Sequence, residues 1–230
     1  MNAHLPNFSQ SGISAIQTPS RNNLSHGRTL ETLDEASHSA YGLRYSMQDI
    51  DTMSDSIATR DDDGAMIQVY APTNGADDCE KEDFYHSLQT TIEKVPKRDL
   101  LVLMGDLNAK VGSERKGWDR EIGPHGIGKM NENGELFADF CATNNLVIGG
   151  TLFKHKNCHK VTWVSPAGNA ENQIDHITIS QRWRSSLQDV RVKRGADAAS
   201  DHHLVIGSIK MKLLAQKNQL SKEESSTLGS

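Results

Sequence analysis

Five polar residues stand at the ends of apolar runs in this 230-residue chain, in the segments "MGDLNA", "NQIDHI" and "AASDHHLV". Asp106 and Asn108 follow "LLVLM", Asp175 sits among isoleucines, and Asp201 and His202 come just before "LVIGSI". A sixth, Tyr70, ends "MIQVY" before the turn "APTN". Residues two apart on a strand share a face, so the spacing predicts that Asp106 and Asn108 point together. Three aspartates brought to one sheet edge repel each other unless something positive lies between them. A hard dication with oxygen ligands answers that need, which makes Mg²⁺ the expected cofactor, with Mn²⁺ as the alternative. A histidine beside them could contact a phosphate or carry a proton.

Each segment has a plainer explanation. "GD" after a strand is commonly a turn, Asp175 could be an edge-strand surface residue, and "SDHH" could cap a helix. The weight lies in the conjunction, because all of them sit at or beside apolar strands.

The surrounding text says which elements must hold these residues. "MIQVY" and "DLLVLMGD" read as strands, joined through "EDFYHSLQTTIEKV", where Phe84, Leu88, Ile92 and Val95 fall at helical spacing before Pro96. "GELFADFCATNN" places Leu136, Phe137, Phe140 and Cys141 on one face of a second helix. "LVIGGTLF", "KVTWVS", "NQIDHITIS", "DVRVKR" and "HLVIGSIKMKL" read as further strands. Strands with interposed helices give an α+β, sandwich-like class.

Residues 1 to 65 differ from this. They are rich in Ser, Asn, Asp and Thr and show no sustained period, with weak helix at most around Thr29 to Ala36. The reading is a low-order leader over 1–65, a domain over 66–213 and a polar tail over 214–230. Aromatic residues make up 5% of the chain and the net charge is −5, so the molecule does not coat nucleic acid by bulk charge alone. No apolar stretch approaches the roughly 20 residues that cross a bilayer, so no membrane association is expected. "MNAHLPNFSQSG" lacks the plan of a secretory signal, and three cysteines make an odd count. Both features point to a reduced intracellular setting, nuclear or cytoplasmic rather than secreted.

"YAPTN", "GDLNAKVG", "TW", "QIDHI" and "SDHH", in this order, resemble the endonuclease/exonuclease/phosphatase superfamily, which includes apurinic endonucleases and DNase I. Within it they resemble the endonuclease region of non-LTR, RTE-like retrotransposons and the craniofacial development protein 2-like group. The resemblance spans about Met66 to Leu213. It implies a four-layered α/β sandwich with two central sheets and a site at one sheet edge, here as a partial, C-terminal share of the DNase I-like fold. It also implies Mg²⁺-dependent phosphodiester hydrolysis with DNA as the ancestral substrate.

By the same resemblance Asp106 polarises the attacking water and Asn108 holds the water or the phosphate. Asp201 belongs to the metal site. His202, oriented by Asp175, contacts the scissile phosphate, and Tyr70 reaches it too. Thr162 supports the site from a neighbouring strand, Trp163 is assigned to core packing, and His203 lies either behind the site or in the core. Asn74 is an uncertain counterpart of the family's asparagine after the proline, because Thr73 intervenes.

One departure matters. The superfamily's first strands carry an Asn and then the glutamate that is the principal metal ligand. Nothing in residues 1–65 resembles either, and Glu31 and Glu35 sit in polar text. The expectation is a truncated or rearranged copy with impaired hydrolysis. The alternative is a non-catalytic remnant that binds nucleic acid or a protein partner. "HKNCH" lacks a second ligand pair for zinc, and "GPHGIGKMNENG" lacks the phosphate-loop pattern. Lys154, Lys156, Lys160, Arg182, Arg184, Arg191, Lys193 and Arg194 form either a phosphate-tracking patch or a solvated face.

Overall fold

The computed structural model describes residues 10–16, 56–60, 64–194 and 200–211. Its elements are strands β1 (Gln10–Ile16), β2 (Ser56–Arg60), β3 (Gly64–Tyr70), β4 (Leu100–Asp106), β5 (Leu146–Ile148), β6 (Trp163–Val164), β7 (Glu171–Asn172), β8 (Asp175–Ser180), β9 (Leu187–Lys193) and β10 (Leu204–Met211), with helices α1 (Asp78–Glu93) and α2 (Glu132–Thr143).

β4 organises the fold. All seven of its residues are buried, and its side chains divide between two cores. Leu101 and Leu103 join Ile67, Val69, Leu88 and Phe137 on the face covered by α1 and α2. Leu100, Val102 and Met104 join Ile177, Ile179, Val190 and Val205 on the other face, beneath the second sheet. A strand covered on both sides has no polar alternation, which is why "LLVLM" is continuous. The large sheet runs β2-β3-β4-β8-β5, and the second runs β1-β10-β9. A helix layer therefore packs on a two-sheet sandwich, as the α+β class requires. Among the described residues no α-helix covers the outer face of the second sheet.

β3 lies parallel to β4, joined through α1, and β8 lies antiparallel on β4's other side. In this register Tyr70 is level with Asp106, and Asp106 faces Asp175. Gly105 has a φ of 143°, and a Cβ there would collide with the Val69 carbonyl oxygen, so only glycine lets β4 approach β3 at this level.

Several expectations need correction. Two strands come from the segment read as lacking regular structure. β2 pairs antiparallel with β3, and β1 pairs antiparallel with β10 over seven residues. Neither has the alternation that marks a strand in the sequence, and pairing supplies what local propensity does not. β3 also begins at Gly64, two residues before Met66. "LVIGGTLF" is strand only to Ile148 and then a 3₁₀ turn at Gly149–Thr151, where Gly149 leaves room for Leu187 and Val190. Leu136 is 37% exposed, while Phe137, Ala138, Phe140 and Cys141 form the buried face of α2. The Thr29–Ala36 helix and the 214–230 tail lie outside the described residues.

Candidate active site

The polar strand ends converge on one cleft of about 450 Å³. Tyr70, Asn74, Asp106, Asn108, Lys110, Asn131, Trp163, Asn172, Ile174, Asp201 and His202 line it. Asp175 lies buried beneath it, joined to it through His202.

Asp106 ends β4 and Asp175 starts β8, so the antiparallel register sets two buried carboxylates side by side. Burial, and then the Asp175 charge, push the Asp106 carboxyl up to about 7. His202 reaches between them. Its Nδ1 lies 3.1 Å from both Asp175 oxygens, and its Nε2 is 3.9 Å from Asp106 Oδ2. Burial alone would lower its pKa. The Asp175 hydrogen bond and the neighbouring carboxylates outweigh burial, and the net shift is upward. The Asp175 contact fixes Nδ1 as the protonated nitrogen and leaves Nε2 toward Asp106.

Asn108 reaches the cleft by a different route from the one its spacing predicts. β4 stops at Asp106, and Asn108 has a φ of 49°, in the left-handed region that asparagine tolerates. Its N–H donates to Asp106 Oδ1 at 3.0 Å, and its Nδ2 donates to the Ala71 carbonyl at 2.9 Å. The carboxylate thus caps the turn that presents the asparagine.

The N-terminus of α2 clamps this turn. Asn131 caps the helix by accepting from Gly134 N, and the same oxygen accepts from Lys110 N at 2.8 Å. Asn131 N–H returns a bond to Lys110 O at 3.0 Å. Asn133 donates to Pro72 O and to Asn108 O, and its N–H donates to Asn74 Oδ1. Gly134 must be glycine, because a Cβ there would strike the Lys110 carbonyl. Asn131 and Asn133 were missed by the sequence reading. The legible signal was an asparagine immediately before Glu132 and Glu135, a helix-start pattern.

The opposite wall is built mostly from backbone pairing. Val164 N–H donates to Asp201 O, and His203 N–H donates to Thr162 O, which lays residues 201–203 along β6. Thr162 is buried, and its hydroxyl accepts from the N–H groups of Ile174 and Asp175 at 3.0 and 3.1 Å. The supporting role assigned to Thr162 thus has a geometry. Trp163 was assigned to core packing. It lines the cleft instead, and its Nε1–H holds Asp201 Oδ2 at 2.8 Å. His203 is half-buried behind the site, with burial and then Arg194 lowering its pKa.

The carboxylates fit a hard dication. Among the described residues, Asp106, Asp175 and His202 form a group with ligand atoms within 4.8 Å of one another. The Asp106 carboxyl is raised first by burial and then by the Asp175 charge beside it. Asp201 contributes a carboxylate at the rim, outside that group. Among the described residues no glutamate lines the cleft.

The basic residues do not form one patch. Arg191 pairs with Asp189, Arg194 pairs with Glu171, and Lys160 turns inward to His125 O. Arg182 and Arg184 border a separate hollow with Leu152 and Phe153. In "HKNCH", His155 is bound to Asp189 at 2.6 Å and His159 lies 3.4 Å from Val192 O.

The sequence matches no protein-family model. Over 152 residues it is 45% identical to craniofacial development protein 2 of Tragulus javanicus and, to the same degree, of Bos taurus. Each match takes in 64% of this chain and 25% of the relative, so the chain spans about a quarter of the length of the curated relatives it matches. These matches bear out the resemblance to the craniofacial development protein 2-like group. Among solved structures, the chain overlaps a 3′ phosphatase, NExo, from Neisseria bound to product DNA hairpin, with TM-score 0.49 and 20% identity, covering 67% of this chain and 64% of that one. It overlaps the endonuclease domain of TRAS1, a telomere-specific non-LTR retrotransposon, with TM-score 0.48 and 15% identity, covering 69% and 65%.

Proposed function

We propose that the cleft hydrolyses phosphodiesters in DNA. The observation that carries this reading is the Asp106–His202–Asp175 arrangement at the base of an open polar cleft. An aspartate whose carboxyl sits near neutrality is poised to take a proton from an attacking water. His202, whose pKa Asp175 raises against the effect of burial, presents Nε2 to a phosphate oxygen and in its protonated form offsets the charge that builds there. Tyr70, level with Asp106, and Asn108 line the same cleft and offer further donors to that phosphate. Asp201 would hold Mg²⁺, because His202 already occupies Asp175 and Asp106 serves the attacking water. The ion would supply charge neutralisation at the phosphate.

The activity is weak in this reading, because among the described residues no glutamate completes the acidic set. That observation also favours a second reading, a remnant that binds nucleic acid or a protein partner without cutting. Nicking of supercoiled plasmid, with and without Mg²⁺, separates the two. Mg²⁺-dependent nicking that disappears in Asp106→Asn supports the hydrolase. Equal background for wild type and Asp106→Asn supports the remnant.

A further inference from the structure

We infer that Lys110 is a binding residue for a second backbone phosphate, beside the one that reacts, so that the cleft takes a polynucleotide in preference to a small phosphomonoester. This deepens the hydrolase reading and rests on it.

Lys110 is the one lysine or arginine lining the cleft among the described residues, and it stands there with Asp106 and Asp201. No described carboxylate lies within ion-pair distance of its ammonium, whereas Arg191, Arg194 and Lys81 all have acidic partners. It is half-buried and lines the cleft. Its backbone is fixed more firmly than that of an ordinary loop residue. Asn131 accepts from its N–H and donates to its carbonyl, and Gly134 packs against the same carbonyl. A cation on a fixed backbone, with no described carboxylate in ion-pair range, is open to an anionic ligand in a cleft lined mostly by polar residues. Lys110 lines the same cleft as Asp106 and Asn108, so an anion it holds lies in the cleft with the reacting phosphate. A ligand with anionic groups in series satisfies both positions, and a nucleic-acid strand is such a ligand.

The test uses the full chain and a short fluorescent DNA duplex in EDTA, with affinity measured by anisotropy across a salt series. Lys110→Ala is compared with Lys110→Arg and with Lys97→Ala, which removes the same charge from an exposed position after α1. One phosphate contact contributes about 0.9 to the slope of log affinity against log salt. Lys110→Ala is expected to bind more weakly and to lower the slope by about 1, while Lys110→Arg and Lys97→Ala keep the wild-type slope. A wild-type slope in Lys110→Ala, or an equal drop in Lys97→Ala, overturns the assignment of Lys110 alone. A Lys110→Ala slope change in a chain that nicks no plasmid leaves Lys110 standing and overturns the hydrolase reading. Wild type that binds no duplex overturns the Lys110 assignment whatever the nicking result.

Discussion

The two walls of the cleft are held by different means. The Asp106–Lys110 wall is tied down by side-chain amides gripping backbone. Asn108 O has both Asn131 and Asn133 as donors, at 3.4 and 3.3 Å, so one can be lost while the other remains. The Thr162–His203 wall is a two-strand backbone pairing joined to β8 and the residues before it through Thr162 Oγ1, through Thr162 N–H to Asn172 O, and through His202 Nδ1 to Asp175. Redundancy protects the first wall against single substitutions. In the second, one hydroxyl serves two backbone N–H groups at once, so a single substitution removes both bonds.

That contrast can be broken outright at Gly105, which precedes Asp106 in β4 between Val69 of β3 and His176 of β8. Gly105→Ala meets backbone with no flexible side chain to yield, and should cost more than about 4 kcal/mol, in the range kept for backbone collision and strain. Urea denaturation reads the loss, and a soluble, cooperative Gly105→Ala chain of near wild-type midpoint contradicts it.

Asp106→Asn separates chemistry from support. Nicking should fall by about 10²–10³, the size of removing one group that acts on the transition state. Thermal stability at pH 8 should rise, since the substitution removes one of two apposed buried charges. A simultaneous loss of activity and of melting temperature would show that the carboxylate is structural.

Thr162→Val and Asn131→Ala test the contrast between the walls directly. The first leaves one buried and one part-buried N–H group without an acceptor and should cost about 2–3 kcal/mol. The second removes a helix cap and should cost about 1 kcal/mol, because Asn133 keeps part of the clamp. Denaturation midpoints that reverse this order would show that the amide wall is the weaker one.

The smallest effect is on pH. Asp106 has a folded-state pKa raised from 3.8 to about 7 by burial and then by Asp175. Its contribution to stability is complete below the unfolded value and is lost as pH climbs through the folded one. His202 is also raised, so its contribution fades upward from its unfolded value of 6.5. His176, lowered chiefly by burial, acts in the opposite direction and takes stability away as pH falls below 6.5. Metal-free protein should therefore melt lower at pH 8 than at pH 6.5, with the difference reduced by Mg²⁺ or by Asp106→Asn. Identical melting temperatures at the two pH values, with and without Mg²⁺, would show that the carboxylates carry no such load.

Much of this site was legible because its residues interrupt apolar strands. Asp106 and Asp175 are polar where burial forbids polarity without a partner, and that contradiction shows in one dimension, while His202 stands just before an apolar strand. Asn108 was found for a partly wrong reason, since a left-handed turn and not strand pleat presents it. Trp163 was misread because an indole at a strand end looks like core, and its N–H partner Asp201 lies far along the chain. Lys110 stood inside a quoted motif without a role, because an unpaired cation is visible only once its neighbours are placed. β1 and β2 were missed altogether, as their strand character comes from partners and not from their own pattern.

The double burial of β4 has a consequence during synthesis. Leu100–Met104 leaves the ribosome long before its two covers do, with α2 still to come for one face and β8, β9 and β10 for the other. At about 5–20 residues per second, β8 is complete only some 4–15 s after Met104 has been made. Through that interval a five-residue, uncharged, apolar segment has no partner but β3 and the helix between them. This is the window in which a nascent chain is open to aggregation or to chaperone capture. Slower translation between Gly105 and Ser180 should therefore lower the soluble yield without altering the finished molecule.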